Sequence, residues 1–215
     1  MGLIVDGDER VGEGGFLALR RLRLRNRRAD GSASAPYVSD AVARPYGQDA
    51  VVVAIYARDA AGAVSVLLRD GLRPTIGLCR AAERAPLPEP PPSIWLTELV
   101  AGILEAGDRG EEGLRARAAA EALEEGGFTV APAAIALLGA GMLSSAGCLT
   151  EKLYFTAVCV DPAAQVALAG DGSPMEEGAR TAWRGLDDAI AACVRGELCD
   201  LKTELGLRRL RDALK

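Results

Sequence analysis

Glu121, Glu124 and Glu125 are the residues of this chain whose type and spacing could do chemistry. Read as helix, they stand three and four positions apart and project over one face. Like charges at that spacing repel by a few tenths of a kcal/mol per pair. They also fall in the last turns before Gly126-Gly127, where the helix dipole favours cations over anions. A divalent cation reverses both penalties, and hard carboxylate oxygens suit Mg²⁺ or Mn²⁺. A solvated acidic helix face has the same pattern, so the three residues alone leave both readings open.

Composition narrows the chemistry further. The 215 residues include 25 Lys plus Arg, 30 Asp plus Glu and no histidine. A Ser-His-Asp triad, a Cys-His dyad, His-ligated zinc and a histidine general base are therefore excluded. Catalysis must rest on carboxylates, Lys, Tyr or Cys. Only 4% of residues are aromatic, too few for a platform that stacks single-stranded nucleic acid. The segment Arg20–Arg28 has six arginines in nine residues, yet the chain carries a net charge of −5. Its alternation reads as a solvated strand face, and no nucleic-acid partner is expected. Cys79, Cys148, Cys159, Cys193 and Cys199 show no C-x-x-C spacing, as in a reducing compartment. The start lacks the basic and apolar regions of a signal peptide. Residues 126–150 carry no charge and are long enough to span a bilayer, but Pro132, Gly139, Gly141, Ser144 and Ser145 interrupt them. They read as strand, glycine-rich loop and strand, so the expectation is a soluble cytoplasmic protein without a membrane partner.

The elements that must position the glutamates follow from periodicity. Strands are predicted over 16–28 and 37–44, with a turn at Asp30-Gly31. The run 49–56 is apolar enough to be buried on both faces, and Ala60-Ala-Gly62 returns it into 63–69 as a hairpin. The prolines of 86–92 mark an exposed loop. A strand over 94–100 runs into Ala101-Gly102, and a helix covers 111–125. Strands follow at 130–138 and 151–160, then a loop at 171–178. Helices close the chain at 187–195 and 200–214, with Leu201, Leu205, Leu210 and Leu214 near one face of the second. The length fits one domain with an added arm, and the order of elements predicts an α/β sandwich.

The run from Glu98 to Asp108, followed by Glu121-x-x-Glu124-Glu125-x-Gly127-Phe128, resembles the Nudix box, G-x5-E-x7-R-E-U-x-E-E-x-G-U, where U is bulky and apolar. Gly102 matches the opening glycine, the three glutamates the helix carboxylates, and Gly127-Phe128 the close. Two departures stand out. Ala120 replaces the arginine, and Gly102 lies four residues too far from Glu121, which leaves Asp108 or Glu112 for the first-glutamate position. Arg117, one turn before Glu121, could replace the lost arginine. Beyond the box, Leu67–Pro74 resembles the family strand ending in a substrate-contacting arginine, here Arg73. Gly141–Glu151 resembles its loop ending in glutamate, and Gly196–Thr203 the tail of ADP-ribose-type members.

The resemblance to ADP-ribose and nucleotide-sugar pyrophosphatases implies a Nudix-type α/β/α sandwich with a mixed central sheet over 46–215. It implies an antiparallel β arm over 1–45 that swaps across a homodimer. Glu121 and Glu125 would be the main Mg²⁺ (or Mn²⁺) ligands, with Glu124 assisting and the Ala101 carbonyl completing the set. Glu176 or Glu177 would be the general base, and Arg73, Glu98 and Glu151 would contact substrate. The implied reaction is hydrolysis of the diphosphate in a nucleoside diphosphate linked to a sugar. The alternative is a Nudix-fold nucleotide-binding or regulatory protein with weak or no catalysis.

Overall fold

Small and β-branched residues facing two opposite cores decide the centre of this molecule. In Ala50–Arg58 the side chains of Val51, Val53 and Ile55 enter one core, and those of Val52 and Ala54 enter the other. The structure is a computed structural model and describes residues 2–14, 16–44, 47–168, 170 and 172–215. Strands β1 (Gly2–Gly14), β2 (Leu17–Arg27) and β3 (Tyr37–Ala43) form an antiparallel sheet of their own. The eight-stranded mixed sheet holds β4 (Ala50–Arg58) at its centre. It antiparallels β5 (Val64–Leu72), and after helix α1 (Pro74–Cys79) come β6 (Trp95–Glu98) and β7 (Val100–Ile103). Helix α2 (Gly110–Glu124), short strands β8 (Ala136–Leu137) and β9 (Met142–Leu143), β10 (Lys152–Cys159), edge strand β11 (Arg180–Gly185) and helices α3 (Leu186–Arg195) and α4 (Leu201–Ala213) complete the order.

The sheet splits where the site forms. β5 pairs with β4 only through Tyr56↔Val66 to Arg58↔Val64, then diverges. The gap is filled by one stretch of chain that changes partner at Leu99: β6 pairs with β5, and β7 pairs with β4. β10 lies parallel to β4 on the other side. Helix α2 covers one face through Ala118, Ala119 and Ala122, and α3 and α4 cover the other. This is the α/β/α sandwich with a separate β arm that the sequence predicts.

Several elements differ from the sequence reading. The strand expected over 130–138 shrinks to β8, because Pro132 has no N–H to give a ladder and starts a 3-10 turn instead. Strands β1 and β11 were not foreseen; both lack a clean alternation of apolar residues. In α4 the fully buried stripe is Thr203, Gly206, Leu207 and Leu210, while Leu201 is exposed. No helix among the described residues is long and apolar enough to cross a membrane. The loop expected over 171–178 begins at a residue outside those described.

Candidate active site

The alanines of α2 let the helix approach the sheet closely, and this brings its last turn against β7. Glu121 and Glu125 are buried there at 8% and 9% exposure. Gly102 of β7 has no side chain where the Glu121 carboxylate lies, and a Cβ at that position would overlap it. The Ala101 N–H donates to Glu125 Oε2 at 3.3 Å. Gly127, at φ +76°, turns the chain out of the helix, and the amides of Gly127 and Phe128 donate to Leu123 and Ala122 carbonyls. Gly102 thus stands directly against Glu121 in space, with the loop and most of α2 between them in the chain.

The segment before β11 is fastened across this helix end. Gln165 Nε2 donates to the Gly126 carbonyl at 2.9 Å, Val166 N–H to Gly127 and Gly170 N–H to Glu124. Ser173 then caps the short turn Pro174–Glu176 by accepting from the Met175 amide. That turn directs Glu176 inward, with its carboxylate 3.5 Å from Arg69 Nη2, while Glu177 is exposed to solvent. Arg69, Glu124, Glu125, Gly170, Glu176 and Ala179 line a cleft of about 200 Å³. A larger hollow of about 660 Å³ lies at the opposite end of α2, near Asp49, Asp108 and Tyr154. None of the glutamates at 121, 124, 125 or 176 lines it, whereas Glu124, Glu125 and Glu176 line the smaller cleft.

Burial dominates the electrostatics. It pushes Glu121 up to about 8, reinforced by the charges of Glu125 and Glu124 and opposed by Arg117. It pushes Glu125 up to about 7, opposed by Arg69 and the Ala101 amide, with Glu176 adding to the rise. Arg117 makes its own bonds to Asp108 and Glu105, each at 2.9 Å, so it acts on Glu121 through its field. Asp108 also accepts the Glu105 amide and so braces the loop, whereas Glu112 is exposed. No hydrogen bond or ion pair reaches the Glu121 carboxylate from the described residues.

That buried, unpartnered carboxylate is the observation against which a metal can be tested. The local donors are carboxylates and peptide oxygens, which suit Mg²⁺ or Mn²⁺ rather than a soft metal. The residues therefore fit such an ion. Among the described residues no three of these groups form a ready-made coordination cluster. Glu125 is instead held by Arg69.

The other expected residues are placed as follows. Arg73 Nη2 lies 2.5 Å from Glu98 Oε1, and Glu98, buried at 2%, also pairs with Lys202. The Arg73 contact is an ion pair without hydrogen-bond alignment. Lys202 meets Asp200 at 2.8 Å, and Thr203 Oγ1 accepts the Leu99 amide. This cluster adjoins the cleft, because a Cβ on Gly71 would stand 2.8 Å from Glu98 Oε1 and 3.0 Å from Arg69 Nη1. Glu151 is not brought to it. It pairs with Arg44, with Ser144 Oγ 3.4 Å away, where β10 begins. Arg69 escaped the sequence reading. Its signal was an arginine continuing the apolar run Val64-Ser-Val-Leu-Leu, where the strand is still buried.

No protein-family model matches the sequence, and no curated protein is similar to it in sequence. Solved structures are similar in fold. The structure of an ADP compounds hydrolase covers 100% of this chain and 95% of its own, with TM-score 0.68 and 12% identity. A NUDIX hydrolase from Alicyclobacillus acidocaldarius covers 75% and 89% at TM-score 0.48 and 13% identity. A Nudix hydrolase from M. Smegmatis, RenU, covers 88% and 94% at TM-score 0.37 and 15% identity. The full-length match is one of fold: the α/β/α sandwich with its N-terminal antiparallel sheet.

Proposed function

We propose that a chain with this fold and this cleft is a Nudix hydrolase that cleaves the diphosphate of a nucleoside diphosphate linked to a sugar. For an ADP-ribose-like substrate the products are a nucleoside monophosphate and a sugar phosphate. The observation that carries the reading is the burial of Glu121 and Glu125 against Ala101-Gly102, beneath a loop that delivers Glu176. Fold likeness to an ADP compounds hydrolase supports the substrate class.

Glu121, Glu125, Glu124 and the Ala101 carbonyl would hold Mg²⁺ or Mn²⁺. Bound there, the ion supplies charge neutralisation for the phosphoryl oxygens and a lowered pKa for water. The protein's own residues do the rest. Glu176 lines the cleft and accepts the proton of the attacking water, a task for which solvent-facing Glu177 is poorly placed. Arg73, held by Glu98 yet partly exposed, offers its guanidinium to substrate phosphate.

The β arm, with Phe16, Tyr37 and Val38 exposed, supports assembly with a second copy. The Val42 N–H to Cys148 carbonyl bond and the Arg44–Glu151 pair tie it to residues 46–215. Unpaired cysteines fit a reducing cytoplasm. One observation favours the non-catalytic alternative: Glu125 is engaged by Arg69 instead of being open to a cation. A panel of ADP-ribose, UDP-glucose, GDP-mannose, NADH and diadenosine polyphosphates with Mg²⁺ or Mn²⁺ separates the two. Release of nucleoside monophosphate, reduced about 10³-fold or more in Glu125→Gln, supports the enzyme. Tight ligand binding without turnover on any substrate supports the alternative.

A further inference from the structure

The cleft carboxylates receive a cation from outside their own helix. Arg69 belongs to β5 and is 3% exposed, following Leu67 and Leu68 in a strand buried on both faces. Its Nη1 lies 3.1 Å from Glu125 Oε1 and its Nη2 3.5 Å from Glu176 Oε1. These partners come from separate elements, the end of α2 and the loop before β11. Gly71 leaves room for the guanidinium, since a Cβ there would press on Nη1 at 3.0 Å. On α2 itself position 120 is alanine, and Arg117 directs its bonds to Asp108 and Glu105.

We propose that Arg69 is the positioning residue of this cleft, holding Glu125 and Glu176 at a fixed separation and supplying from β5 the guanidinium that α2 lacks at position 120. The inference rests on the hydrolase reading for its kinetic consequence and on geometry alone for its placement. Glu125 and Glu176 also meet each other directly, and the guanidinium bound to both sets the geometry of that contact. Arginine bridges them because its planar fork carries separate N–H groups for each, and lysine, a single point charge, does not. Glu176 sits on a loop, and Arg69 is one of its anchors to the sheet. The same guanidinium competes with a divalent cation for Glu125 and repels it. Positioning therefore leaves an opposed signature: without Arg69, turnover drops while cation binding tightens. A residue that merely fills space would weaken both.

The test uses the full chain with Arg69→Met and Arg69→Lys. Mn²⁺ is titrated into substrate-free protein by electron paramagnetic resonance, melting is followed, and steady-state rates are taken with ADP-ribose and Mg²⁺. In Arg69→Met, kcat is expected to fall by about 100-fold while KM moves by less than about threefold. Mn²⁺ should bind several-fold more tightly. Arg69→Lys keeps the charge without the fork, and its kcat should fall by at least about tenfold. The proposal is overturned if both variants keep kcat near wild type, or if Mn²⁺ binding weakens together with kcat. Should Arg69→Met fail to fold, Arg69→Lys decides by its kcat alone. Should wild type hydrolyse nothing, the hydrolase reading fails, and Mn²⁺ affinity in Arg69→Met still decides: tighter supports the placement, unchanged or weaker overturns it.

Discussion

The β arm and the cleft both pair arginine with a carboxylate, and water makes them opposites. On the arm, Arg21 meets Asp40 across β2 and β3, and Arg25 meets Asp6 across β1 and β2. Their side chains keep 30% to 39% exposure, so solvent and salt screen each pair. In the cleft, Arg69 and Glu125 keep 4% and 10%. Removing an arm partner leaves a hydrated charge, whereas removing a cleft partner leaves a buried one. Moreover, Glu121, one turn back from the cleft on α2, is buried with no hydrogen bond or ion pair from the described residues. A buried carboxyl whose ionisation the fold opposes is a candidate for meeting a ligand, while a balanced, wet charge ladder is a surface.

Substitutions that isolate single carboxylates sharpen this contrast most. Glu176→Gln is expected to lower kcat by about 10²-fold or more, with Glu177→Gln within about threefold of wild type. Equal losses in the two variants would break the assignment of the base to the inward-facing residue. Gly102→Ala tests the cleft through backbone space. The added methyl must displace the Glu121 carboxylate, so turnover should fall by about 10- to 100-fold with the circular-dichroism spectrum unchanged. Unaltered kinetics would mean that Glu121 does not need its place beside β7.

Much of this site was legible in the sequence because its parts are local. The spacing of Glu121, Glu124 and Glu125, the closing Gly127, and the strand reaching Ala101-Gly102 are short-range patterns. So were β4, buried on both faces, and the two final helices. What remained hidden depends on contacts between distant segments. Arg69 becomes a cleft residue only because β5 leaves β4 and turns its guanidinium toward the end of α2. Glu151 carried a motif-like position before β10, but the approach of Arg44 gives it a partner at the arm. The edge strand β11 has no alternation to announce it, since its pairing with β5 and the core contact of Trp183 supply its stability. Leu201 looked like part of a stripe, yet the buried stripe of α4 passes through Thr203 and Gly206 instead.

A smaller effect, on stability, should separate the regions by pH. Glu121 is held near 8 in the fold against an ordinary value of 4.5, so between these limits the folded state binds a proton that the unfolded chain has lost. The fold is therefore favoured fully below about 4.5, and this advantage is lost as pH rises to about 8. Glu125, raised to about 7, acts in the same sense. The metal-free protein should melt progressively lower from pH 5 to pH 8. Glu121→Gln should match wild type near pH 5 and melt higher at pH 8, and added Mg²⁺ should flatten the wild-type trend. Parallel curves for wild type and variant would show that Glu121 is not desolvated in solution.

The least effect is expected on the arm, and its failure would be the most instructive. Asp40→Asn removes a carboxylate from a pair that water already screens, so the melting temperature should move by less than about 2 °C, with kcat unchanged. A drop of more than about 5 °C would mean that water does not reach this pair in solution. The surface that excludes it would then be a second copy lying across β2 and β3, where Tyr37 and Val38 are exposed in the single chain. Light scattering on wild type, Asp40→Asn and a chain lacking residues 1–45 distinguishes the cases. A dimer that dissociates in both altered chains turns the arm from a wet ladder into a buried interface, subject to the same rule of unpaired charge as the cleft.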